Sequence, residues 1–243
     1  MIPLFAILCF LGSLPLLGSG VRIYLAYRRT QYEWYSNLSK SLFGFALFFL
    51  FLGMTMLFPN NLIFIELCLD LALLFFYLGM GFNLLVPFRV QFFKGVNLKI
   101  LSWIVVLIGI AIFFFNILNI EPAINHTYNN FIFWEESRLP FINIFSGVLF
   151  ILFFVNLVIF FLIQGFQEKK EKSLRTQIFL MTFGFLLLII GMAVRFIFYY
   201  WMDIFKAWLI TITCFGVAMI ILVVGMFLLK PQKEKFIKEE VKI

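Results

Sequence analysis

Residues 61–88 read "NLIFIELCLDLALLFFYLGMGFNLLVPF", and within this run only Glu66 and Asp70 carry charge. An α-helix rises 1.5 Å per residue, so about 20 apolar residues cross the roughly 30 Å hydrocarbon layer of a bilayer. The run is long enough to span, and it carries two carboxylates at depth, where charge is costly. Their spacing of four puts both on one face of the helix, a turn apart.

The rest of the chain has the same character. Of its 243 residues, 64% are hydrophobic and 13% charged, with a mean hydropathy of +1.07. A soluble domain carries roughly 25% charged residues and about half apolar ones. The surplus apolar surface cannot be hidden in one core, so lipid must be its solvent. Hydropathy places seven spans at about 2–27, 41–59, 61–88, 100–119, 141–165, 177–201 and 204–230. The fold class expected is an all-α integral membrane protein, a seven-transmembrane helix bundle over 1–230 with a short charged tail, 231–243. Pro59, Asn60 and Asn61 form the tight turn that makes the second and third spans antiparallel neighbours.

Orientation follows from Lys and Arg. Fifteen of them, from Arg28 and Arg29 through Lys40, Arg89, Lys94, Lys99 and Lys169 to the tail, fall on one side, against Arg138 and Lys206 on the other. Positive charge collects in the cytoplasm, so the N-terminus is expected outside and the C-terminus inside, in a multi-pass protein of the cell membrane. Tyr32, Trp34, Tyr35 and Trp103 then mark the inner boundary, and Trp134, Tyr199, Tyr200, Trp201 and Trp208 the outer one, where amphipathic rings prefer to sit. The N-terminal run meets no positive charge until Arg22 and continues past Pro15, which fits a retained helix better than a signal peptide.

Several functions are disfavoured. The net charge of +7 is spread between apolar runs where topology needs it, with no basic stretch interleaved with aromatics, so nucleic acid is not an expected partner. The single histidine, His126, supports neither a metal cluster nor a His-based triad, and Cys9, Cys68 and Cys214 sit in apolar runs as small hydrophobes. There is no phosphate-binding Gly-rich loop, HExxH or GxSxG, and the seventh span has lysine only at its ends, which disfavours a retinal Schiff base. No enzyme activity, cofactor or metal is expected.

The charged residues in the spans are the candidate site. Glu66 and Asp70 lie roughly 7 and 13 Å from the outer end of their helix, and Arg195 about 9 Å from that of the sixth. An ion pair between Arg195 and Asp70 is expected, with Glu66 and Tyr199 beside it and Asn116 and Asn119 adding hydrogen-bonding groups. One reading makes this cluster the floor of an outward-facing pocket for a small polar ligand. The other makes it a buried ion pair that fixes helix register. Asn83, Asn156 and Gln164, nearer the inner side, read as interhelical hydrogen bonds. Gly79 and Gly81 mark a close helix approach. The external segment from Glu121 to Pro140 holds a glycosylation sequon at Asn125, and its second half, with Phe131, Phe133 and Trp134 as the apolar side, is expected to form a short amphipathic helix on the membrane.

"YRR" (27–29) after the first span, "FYLG" (Phe76 to Gly79) in the third, and the external "NHTYNNFIFW" (Asn125 to Trp134), together with an outside N-terminus, resemble the seven-transmembrane N-terminal sensor region of some histidine kinases. The resemblance implies a receptor-like sensor. The output domain that follows in such kinases is missing here, so signalling through a separate cytoplasmic or membrane partner is expected. A transporter, or a membrane subunit of a larger complex, is the alternative; in either, the same charges line a pathway or an interface.

Overall fold

The computed structural model describes residues 2–85, 97–135, 140–167 and 172–225. The cations Arg89, Lys94, Arg138, Lys169 and Lys170 and the tail 231–243 lie outside these, as do the side chains of Trp34, Asn156 and Gln164. Seven helices are described: α1 (Leu4–Thr30), α2 (Glu33–Met54), α3 (Leu62–Leu84), α4 (Leu98–Leu118), α5 (Pro140–Gln167), α6 (Lys172–Phe196) and α7 (Ile204–Val223). Six stretches, all but the one in α5, are long and apolar enough to cross a membrane, and in α5 Pro140–Leu152 is a shorter apolar stretch. Apolar side chains point outward around the bundle, among them Leu107, Phe114, Leu118, Phe166 and Ile220. Such a surface suits lipid rather than water, and the chain has the build of a multi-pass membrane protein.

Helix starts are set by short polar side chains that accept from otherwise orphaned N–H groups. Asn61 Oδ1 accepts from Phe64 N (3.0 Å) and Asn97 Oδ1 from Lys99 N (3.1 Å), while Asp203 Oδ1 accepts from Lys206 N (3.0 Å). Several boundaries differ from the hydropathy reading. α2 begins at Glu33, well before residue 41, because Ser39 and Ser41 are not loop residues: both are buried, and Ser39 Oγ donates to Gly20 O (2.9 Å) across the α1–α2 seam. α6 ends at Phe196 and gives way to a 3₁₀ turn, Phe198–Trp201.

α3 is the central helix: 56% of its apolar window is buried, against 22% for α4. Its C-terminal half packs backbone to backbone with α2. A Cβ on Gly44 would come 2.5 Å from Gly79 Cα, so the glycine is required there by close approach. Antiparallel α4 follows α3 down one seam, with Ser102 Oγ donating to Gly81 O (2.7 Å), Gly109 against Tyr77, and Asn116 against Asp70. Phenylalanines fill the middle, where Phe76 stacks on Phe150 (5.4 Å) and Phe150 on Phe154 (4.2 Å).

The segment after α4 is not a helix. It forms an antiparallel hairpin, β1 (Ile124–Tyr128) and β2 (Phe131–Glu135), with Tyr128 opposite Phe131. Asn129 takes φ 51°, a left-handed conformation that Asn tolerates, and so closes a two-residue turn. Ile132, Phe133 and Trp134 are all buried, so both faces of β2 are covered and the strand shows no polar alternation. The chain's start joins this sheet: Ile2 N donates to Asn130 O (2.6 Å) and Ile132 N to Ile2 O (3.3 Å). Ala123 N bonds Leu62 O (3.2 Å) at the start of α3, so the hairpin lies over the end of the bundle.

Candidate functional site under the hairpin cap

Glu66 and Asp70 are both buried on α3, at 2% and 1% exposure. Asp70 Oδ1 accepts from Asn116 Nδ2 at 2.8 Å, and this bond ties α3 to α4 at depth. Asn119 is not brought to them. It is exposed and donates to Phe115 O (2.8 Å), closing the end of α4.

Because α6 stops at Phe196, Arg195 lies in its last turn rather than two turns inside. Unsatisfied carbonyls gather there and favour a cation. The guanidinium lies 4.7 Å from the centre of the Trp208 ring and 5.4 Å from that of Tyr199, both cation–π contacts in a buried setting. Trp208 is itself sandwiched, stacked on Phe133 of the hairpin (5.2 Å, 24°) and edge-on to Phe5 of α1 (5.2 Å, 73°). Trp134, Tyr199 and Trp208 were expected at a membrane boundary. All three are buried in the packed end instead, whereas Trp103 and Trp201 are exposed, as boundary anchors would be.

A second tie holds the hairpin. Glu135 Oε2 accepts from the Tyr199 hydroxyl and sits 2.8 Å from His126 Nε2, which links β1, β2 and the turn after α6. A line of contacts thus runs from His126 at the surface through Glu135 and Tyr199 to Arg195.

Beneath the hairpin lies a cavity of about 40 Å³. Its polar wall is made by Arg195, Trp134, Trp208 and Thr55; α1, α2, α3 and α6 supply apolar side chains such as Phe5, Phe48, Leu69 and Met192. Both indole N–H groups are buried, and no acceptor among the described residues reaches either. On the other side of Phe133, which lines both spaces, an open recess of about 460 Å³ is lined by His126, Asp203 and Lys206. No group of three or more His, Cys, Asp or Glu placed to hold a metal ion occurs among the described residues.

Sequence reasoning singled out Glu66, Asp70, Asn116, Arg195 and Tyr199 and put Trp134 and Trp208 at this end only as boundary anchors; Glu135 and Thr55 it did not single out. One signal was available: "NN" at 129–130 between two short runs is a hairpin mark. No family model, curated protein or solved structure matches the chain.

Proposed function

We propose that the chain is a non-enzymatic, receptor-like sensor of the cell membrane, a bundle of seven spans with the N-terminus and hairpin outside and the C-terminus in the cytoplasm. α5, with 28 residues, is about 42 Å long and is the seventh span. The excess of Lys and Arg in the sequence on one side of the expected spans supports this orientation. The observation that carries the functional reading is the small cavity beneath the hairpin, with Arg195, Trp134, Trp208 and Thr55 among the residues that line it. Ionisable and polar groups at membrane depth face a site more often than lipid. A small polar ligand entering from outside would settle beneath the hairpin and be read through α6 and α7, which both supply its wall. The signal would pass to a separate partner at the cytoplasmic ends.

Reconstitution into proteoliposomes tests this reading. Ligand should change the reactivity of a cysteine placed at Lys99, on the cytoplasmic side, while no solute accumulates inside. Substrate-dependent uptake would make the protein a carrier and overturn the sensor reading.

A further inference from the structure

We propose that the C-terminal end of α1 is a binding site for the headgroup of an anionic phospholipid, held through its phosphate by Arg22 and Arg29. The proposal goes beyond the sensor reading and needs only that α1 crosses the bilayer. Leu11, Leu14, Gly18, Arg22, Leu25 and Arg29 recur at spacings of three and four, and all are exposed. They form one stripe of the helix, and its apolar members mark a lipid-facing side. Arg22 therefore faces lipid rather than the bundle. A shallow opening lies one turn before it, since a Cβ added at Gly18 would meet nothing within 4 Å.

Depth brings both guanidinium groups to the level of phosphate. α1 has 27 residues and is about 40 Å long, against roughly 30 Å of hydrocarbon and about 40–45 Å with both headgroup layers. Its last turns thus enter a headgroup layer, where the rings of Tyr24 and Tyr27 suit the boundary. Arg22 and Arg29 share a face, about 10 Å apart along the axis. Long side chains of this kind lie along apolar surface and carry their charge to the headgroups, so both can converge on one phosphate.

The protein leaves these cations to an outside partner. Cations late in a helix often neutralise its last carbonyls. Here Thr30 Oγ1 donates to Ala26 O (3.0 Å), Gln31 N to Tyr27 O (2.7 Å) and Gln31 Nε2 to Arg28 O (3.0 Å), so those carbonyls are already satisfied. Among the described residues no carboxylate pairs with Arg22, Arg28 or Arg29. Glu33, the nearest acid in sequence, lies in the first turn of α2, where it offsets that helix's own dipole. A guanidinium fork matches two phosphate oxygens at once. Three arginines with no acid among them favour a net negative headgroup over a zwitterionic one, whose ammonium they repel.

The test places the full chain in phosphatidylcholine nanodiscs and follows thermal unfolding as phosphatidylglycerol replaces part of the lipid at constant ionic strength. The midpoint should rise by about 2–4 °C and saturate at a low mole fraction of phosphatidylglycerol. Arg22→Gln with Arg29→Gln should leave the midpoint in phosphatidylcholine alone nearly unchanged, and should raise the half-saturating fraction about tenfold or more. Lys206→Gln, at an exposed cation of the hairpin-capped end, should leave that fraction unchanged. If the double variant unfolds in phosphatidylcholine alone, Arg22→Lys with Arg29→Lys takes its place. Both charges then stay, the forks are lost, and the fraction should still rise several-fold. No saturable effect in the natural protein, or one that survives the arginine changes, would overturn the proposal. So would a loss of response in Lys206→Gln, which would put the headgroup at the other end. An equal effect of inorganic phosphate in phosphatidylcholine discs would make a soluble phosphate the ligand and overturn it too.

Discussion

The two halves of α3 solve the burial of polar groups in opposite ways. In the C-terminal half, Gly44 and Gly79 bring backbones into contact, Asn83 Nδ2 donates to Ser41 Oγ (3.0 Å), and Ser102 bonds the Gly81 carbonyl. Little space is left, although Asn83 Oδ1 has no hydrogen-bond partner among the described residues. In the N-terminal half the same helix carries Glu66 and Asp70 and passes a cavity roofed by a hairpin. Close packing marks one end, and a small cavity remains at the other. Helix association in lipid depends on such packing because apolar burial no longer drives it.

The sharpest way to break this contrast is at the inner seam. Gly44→Leu must push α2 away from Gly79 backbone that cannot yield, and overpacking of this kind costs about 1–3 kcal/mol, sometimes more. A large loss of folded, monodisperse protein is the expected result, read by size-exclusion chromatography. Gly18→Ala is the matched control, since an added Cβ there meets nothing within 4 Å. It should stay within about 1 kcal/mol of the natural protein.

At the outer end, Arg195→Leu removes a buried cation and should cost about 3–5 kcal/mol if a carboxylate is thereby left unbalanced. Adding Asp70→Asn should then recover much of that loss, as measured by thermal unfolding in nanodiscs. Additive losses would show that the expected Arg195–Asp70 pairing carries no energy, leaving Asp70 tied to α4 through Asn116 and Arg195 to its aromatic neighbours.

The hairpin tie comes next. Tyr199→Phe deletes the hydroxyl that donates to Glu135, and a bond to a charged acceptor is worth about 1.5–3 kcal/mol. Hydrogen exchange should quicken in β1 and β2 while α3 stays protected. His126→Gln touches a pair that is partly exposed, 27% on the histidine side, and such pairs contribute about 0–1 kcal/mol. Its effect on the same exchange should be the smallest of the series. Equal loosening of α3 and the hairpin in either variant would mean that the cap is not a separate element.

What was legible in the sequence follows the physics of each signal. Long apolar helices were legible because lipid demands about 20 apolar residues whatever they pack against, and six of the described helices meet that length. The polar residues of α3 and Asn116 stood out because charge and amide groups are conspicuous in such runs. The start of α2 was hidden, since Ser39 and Ser41 look like loop residues until a neighbouring helix supplies their partners. The hairpin was hidden for the opposite reason. Phe131, Phe133 and Trp134 suggested one apolar face, whereas bundle and N-terminus together bury three consecutive residues of β2. Trp208 and Trp134 were placed at the boundary by residue type, and only tertiary packing draws them inside.

The central claim is that the hairpin-capped end faces outside. Asn125 is exposed on β1 at that end, and Lys99 is exposed at the start of α4 at the other. Single cysteines at these positions, in a background lacking Cys9, Cys68 and Cys214, are to be treated in intact cells with a membrane-impermeant maleimide. The account predicts rapid labelling of Asn125→Cys and labelling of Lys99→Cys only after permeabilisation. The reverse pattern would put the hairpin and its cavity in the cytoplasm and contradict an outward-facing site.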